Sequence, residues 1–87
     1  MEPAVAFGKV LRRMRKRVAL TQEQLGFDAE LRRTYVSILE LGEQQPSLST
    51  ILKLATALGC SASELMAAVE AEMAADSSRN SSEGTGA

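Results

Sequence analysis

Eighty-seven residues, 45% of them apolar, suffice for one small domain with a helical core that needs no staple. A single cysteine and no histidine leave neither a disulfide pair nor a usual zinc ligand set, and they remove histidine-based acid–base chemistry. The net charge of −1 argues against a uniformly basic chain, but residues 1–41 carry eight Lys+Arg against five Asp+Glu while residues 42–87 carry two against six. A basic half joined to an acidic half orients a molecule on a polyanion.

The first helix is predicted to start at Pro3 and run to residue 17 or 18. Phe7, Val10, Leu11, Met14 and Val18 form one apolar stripe, and Lys9, Arg12, Arg13 and Lys16 lie roughly 140–240° away. That charged side is either a solvated surface or a face that steers and touches phosphates, with Arg13 and Lys16 the better placed. Arg15 sits at the edge of the stripe. No apolar run follows the basic segment at residues 12–17, so it does not read as a signal peptide. No stretch is long and apolar enough to span a bilayer, and a soluble cytoplasmic protein is expected.

A capping box of Thr21 and Gln24 opens a second helix over about 22–28, with Leu25 inward and Phe27 either in the core or partly exposed. A third helix runs from residue 32 or 33 to 41 and is stopped by Gly42. Its Val36 and Leu39 point inward, whereas Arg33, Thr34, Ser37, Ile38 and Leu41 share an arc of roughly 140° on the other side. Guanidinium, hydroxyl and methyl groups on one outward face are the chemistry that reads base edges in a major groove.

Ser47 caps a fourth helix in which Leu48, Ile51, Leu52, Ala55 and Leu58 fall within about 100° of one another and are expected to finish the core. Gly59 ends it, Cys60 is a small buried or half-buried filler, and a box of Ser61 and Glu64 opens a fifth helix over about 62–74. Leu65, Met66, Val69 and Met73 share one stripe of that helix and are the candidate dimer interface. Leu65, and with it Met66, suits the chain's own core, while Val69 and Met73 reach for a partner, most simply a second copy. A frayed amphipathic tail is the alternative. Residues 75–87, DSSRNSSEGTGA after Ala75, offer no apolar anchor and are expected to be disordered, which puts the folded domain at 1–74.

The segment LTQEQL at residues 20–25, Arg33-Thr34-Tyr35-Val36-Ser37, Glu40, Gly42, Pro46-Ser47 and Ala57-Leu58-Gly59 together resemble the Xre/Cro-type helix-turn-helix regulators, which include phage repressors and restriction-modification controller proteins. The resemblance covers about residues 5–66. It implies an all-α, compact five-helix repressor-like domain whose helix-turn-helix unit spans about 21–41. It also implies base contact from Arg33 and an ion pair between Arg15 and Glu40 that ties the first helix to the third. Thr34 and Ser37 share the Arg33 arc as further base-contact candidates, and Ile38, where the family is usually polar, either meets thymine methyls or lies at the groove edge. Phosphate contacts are expected from Gln22, Arg32, Tyr35, Thr21, Arg13, Lys16, Gln44 and Gln45.

Three positions depart from the family pattern. Glu30 stands where glycine is usual, Arg32 where a serine or threonine cap is usual, and Glu43-Gln44-Gln45 where lysine or arginine often holds the backbone. The acid in that loop implies fewer released counterions and a shallow salt dependence. The expected function is sequence-specific binding of a palindromic double-stranded operator as a homodimeric transcriptional regulator, with no cofactor and no metal. An antitoxin or adaptor whose fifth helix holds a protein partner is the alternative. No nucleophile–base pair, glycine-rich phosphate loop or usable carboxylate pair points to an enzyme.

Overall fold

The computed structural model describes residues 1–85, with side chains as far as Ser78. Its helices are α1 (Pro3–Arg17), α2 (Gln22–Asp28), α3 (Arg33–Glu40), α4 (Leu48–Leu58) and α5 (Ala62–Thr85). No strand occurs among the described residues, so the all-α five-helix expectation holds. No single described helix is long and apolar enough to cross a membrane.

Local chemistry sets the helix starts. Pro3 opens α1, where its missing N–H leaves no bond unmade. At α2 the predicted box closes: Thr21 Oγ1 accepts the Gln24 N–H at 3.0 Å, and Gln24 Oε1 accepts the Thr21 N–H at 2.9 Å. Ser47 caps α4 by accepting the Thr50 N–H at 3.1 Å. Ser61 and Glu64 exchange the equivalent bonds at α5, and these hold the Glu64 carboxyl below its ordinary pKa. That contribution is present above the ordinary carboxylate pKa and fades as pH falls through the lowered one.

The ends are equally regular. After α3 the Gly42 N–H donates to the Leu39 carbonyl and the Glu43 N–H to the Ile38 carbonyl, both at 3.1 Å, with Gly42 at φ +74°. This is the Schellman arrangement, which needs a left-handed residue. The same turn closes α1 at Ala19 (φ 60°) and α2 at Glu30 (φ 59°), where side chains accept a conformation that favours glycine. The departure at Glu30 therefore keeps the family geometry and carries its strain.

Ala6, Phe7, Val10 and Leu11 of α1 meet Leu25, Val36, Leu39, Leu54 and Leu65 in one core. Gly8 faces the end of α3 so closely that a Cβ there would stand 2.5 Å from the Leu39 carbonyl oxygen. Only a hydrogen fits.

Three expectations are corrected by the packing: the inward face of α4, Val18 and Val69. In α4 the inward side chains are Thr50, Leu54, Ala55 and Leu58, whereas Leu48 and Leu52 are 73% and 50% exposed. Phe27 is 84% exposed, and Val18, which follows the last residue of α1, turns outward. Leu65 and Val69, at 0% and 4% exposure, are core residues of the single chain because α5 packs back along α1, so Val69 is not free to meet a partner. Finally, α5 continues past residue 74 to Thr85 where a disordered tail was expected. Half-buried Met73 and an Arg13–Glu72 ion pair at 3.0 Å fasten α5 just before residue 74, and a Met1 amino group 2.9 Å from Asp76 meets the extension beyond it. Residues 86 and 87 of the expected tail lie outside the described residues.

Replacing Glu30 by glycine removes the left-handed penalty and leaves the two turn bonds in place. After the greater chain entropy of glycine is offset, stability to urea should rise by about 0.5–1 kcal/mol. A lower midpoint for Glu30→Gly would show that the side chain stabilises the turn more than its backbone strains it.

Candidate nucleic-acid interface

α2 and α3 form the helix-turn-helix, with Ala29–Leu31 as the turn. Val36 and Leu39 of α3 are fully buried, so the opposite side must face out. Arg33 and Thr34 are exposed there, while Ser37 and Ile38 are half-buried one turn further on. Leu41, at the C-terminal end of the same arc, is 64% exposed. Arg32 occupies the cap position of α3 without a capping bond from its side chain, which stays exposed. Tyr35 packs partly against the core, leaving its hydroxyl end as the polar part of the side chain.

The residues expected around this face separate into two groups. Thr21 and Lys16 are exposed, although the Thr21 oxygen already accepts the Gln24 N–H. Gln44 is exposed in the loop after α3. Gln45 instead borders a shallow groove of about 180 Å³ with Pro3, Phe7, Pro46, Ile51, Met66 and Val69, beside α1 and α5. Arg13 reaches the carboxylate of Glu72 on α5, which draws it away from the role of a free phosphate ligand.

The predicted ion pair forms. Arg15 Nε and Nη2 donate to the two oxygens of Glu40 at 2.6 and 3.0 Å, and Arg15 Nη1 donates to the Leu20 carbonyl at 2.9 Å. The side chains are 11% and 3% exposed. The hydrogen bond to Glu40 is the main cause of a raised Arg15 pKa, opposed by burial, so the charge is secure. The sequence reading did not foresee that the Gln22 amide joins this pair, its Nε2 donating to Glu40 Oε1 at 3.0 Å. The two residues stand eighteen positions apart, and only their placement on neighbouring helices reveals the bond. Among the described residues no group of His, Cys, Asp and Glu side chains is arranged to hold a metal ion. Cys60 is half-buried, and burial, with Glu64 nearby, raises its thiol pKa, which keeps the unreactive protonated form at neutral pH.

An outward polar face on the second helix of a helix-turn-helix, set on a buried apolar frame, defines a DNA-binding class of protein. Residues 11–65 match the helix-turn-helix family model, and the chain belongs to that family. Its relatives make the class narrower. It is 38% identical over 61 residues to control protein C.BamHI of Bacillus amyloliquefaciens, covering 69% of this chain and 75% of that protein. It is 36% identical over 69 residues to control protein C.MunI of a Mycoplasma species, covering 78% and 93%. Among solved structures, the restriction-modification controller protein C.AhdI from Aeromonas hydrophila superposes with a TM-score of 0.69 at 47% identity, covering 71% of this chain and 94% of that one. The protein is thus a helix-turn-helix DNA-binding transcription regulator of the restriction-modification controller type, and not an enzyme.

Truncating one half of the Arg15–Glu40 pair strands the other charge in a nearly dry site. Glu40→Ala should lose about 3 kcal/mol of folding stability, while an apolar pair, Arg15→Met with Glu40→Leu, should lose far less. Equal losses in thermal or urea unfolding would contradict the desolvation argument.

Proposed function

We propose that the chain binds a palindromic operator as a homodimer, each copy laying α3 in one major groove about one helical turn from the other. The observation that carries the reading is the exposure of Arg33 and Thr34 beside a fully buried Val36 and Leu39. Arg33 donates to guanine O6 and N7, the commonest specific arginine contact, and Thr34 offers a hydroxyl and a methyl group to a neighbouring base. Ser37 and Ile38 border the same bases from the next turn. Arg32, Tyr35, Thr21, Lys16, Gln22 and Gln44 supply backbone contacts that fix register. The regulator works in the cytoplasm, where the operator is.

The dimer surface is moved by the burial of Leu65 and Val69. Met66 is 36% exposed and shares a groove with half-buried Ile51, whereas exposed Leu48 and Leu52 form a strip on α4 itself, with Leu52 bordering Asp28, Ala29 and Glu30, and this α4 strip is the surface assigned to the contact. A second copy covers this strip and brings the two reading helices to one side of the pair. An antitoxin-like role, with a different protein on the same strip, is separated from this by the behaviour of the purified chain alone.

Two measurements test the reading. In titrations of DNA selected from random sequence, Arg33→Ala should lose discrimination at one base pair per half-site, by about 1–3 kcal/mol. A variant that ranked all sequences as the parent does would remove Arg33 from base readout. In sedimentation at micromolar concentration the parent should be a dimer and Leu52→Glu a folded monomer with weakened operator binding. A monomeric parent would favour the hetero-partner.

A further inference from the structure

Glu40 does more than answer Arg15. Its Oε1 accepts from both Arg15 Nη2 and Gln22 Nε2, each at 3.0 Å, while Oε2 accepts from Arg15 Nε. A carboxylate paired with arginine has no proton to offer, so the Gln22 amide must turn its NH2 group toward Glu40. With one N–H held by Glu40, the rotation of the half-exposed Gln22 side chain is restricted before any ligand arrives, and a second N–H and the amide oxygen remain to meet one. Gln22 stands on α2 and Glu40 at the end of α3, so one buried carboxylate holds the polar N-terminal residue of α2 in register with α3.

We infer that Glu40 is a positioning residue for DNA binding, acting through Gln22: it presents the amide already oriented to the nucleic-acid backbone beside the groove that α3 enters. The inference rests on the operator-binding reading above. It assigns to the ion pair an effect on DNA affinity that is separate from holding the helices together. A glutamine ordered in advance avoids the entropy of being ordered on binding, an effect of about five-fold in affinity.

The test is a double-variant cycle on the DNA that the parent selects. Gln22→Ala and Glu40→Gln should each weaken binding about five-fold, the double variant no further than the weaker single, with the order of preferred bases unchanged. Losses that multiply, or a Glu40→Gln protein that binds as the parent does, would overturn the inference. A parent that selects no DNA overturns instead the operator reading.

Should Glu40→Gln not fold, Gln22→Glu keeps Arg15 and Glu40 in place. Its new carboxyl should titrate above the ordinary value of about 4.3 in carbon NMR of the free protein, because only its protonated form can donate to Glu40. DNA binding by Gln22→Glu should be weak at pH 8 and recover on acidification along that same titration. A carboxyl that titrates at its ordinary value points away from Glu40 and removes the positioning role.

Discussion

The whole arrangement depends on how closely α3 can lie on α1. Two features fix that distance: a glycine at position 8, where a Cβ would meet the Leu39 carbonyl oxygen at 2.5 Å, and the Arg15–Glu40 pair beside it. The pair does little for net stability, since taking both charges out of water costs about as much as their attraction returns. Its value lies in direction. A bidentate guanidinium–carboxylate contact tolerates one geometry, and apolar packing around it tolerates several. Arg15 spends its third donor on the Leu20 carbonyl, just before the cap of α2, so the end of α1, the entry to α2 and the end of α3 are set by one side chain.

This dependence explains which parts of the fold were legible in the sequence. Caps and stops are local chemistry: Thr21 with Gln24, Ser61 with Glu64, and Gly42 after α3 could be read directly and are found in place. The outward arc of α3 was legible because Val36 and Leu39 leave one inward side. The face of α4 was not. Leu48, Ile51, Leu52, Leu54, Ala55, Ala57 and Leu58 make seven of its eleven residues apolar, so periodicity offers two candidate stripes. The choice falls to Leu54 and Leu58 through tertiary packing, including α5, which follows at 103° to α4. Val69 was misplaced for the same reason, because its burial is decided by α1, some sixty residues earlier.

The charged residues divide along the same lines. Helical spacing put Arg13 and Lys16 on one exposed face, yet Arg13 is taken up by Glu72 on α5, some sixty residues away, a contact that spacing within α1 cannot reveal. With Arg13 occupied and an acid at Glu43 in the loop, the candidate interface keeps few free cations, chiefly Arg32 and Arg33 at the start of α3. Counterion release scales with such contacts, so a monomer so equipped holds nonspecific DNA weakly. Affinity then depends on a small set of oriented groups, so the inferred setting of Gln22 by Glu40 would count for more than it would on a strongly basic surface.

Weak attachment by one copy gives the exposed apolar strip its meaning. Full burial of a leucine is worth roughly 1.5–3 kcal/mol, and Leu48 and Leu52 leave much of that unrealised in the single chain. In the proposed homodimer, joining two copies through these side chains would recover it and would couple two modest DNA contacts into one event whose affinity reflects both half-sites. Because α4 follows α3 through the short Gly42–Ser47 loop, a two-fold contact on α4 would carry its geometry directly to the reading helices. On that proposal, residue choice on α4, which leaves apolar side chains outside a core already filled by Leu54 and Leu58, would bear on the spacing of half-sites as much as on the strength of association.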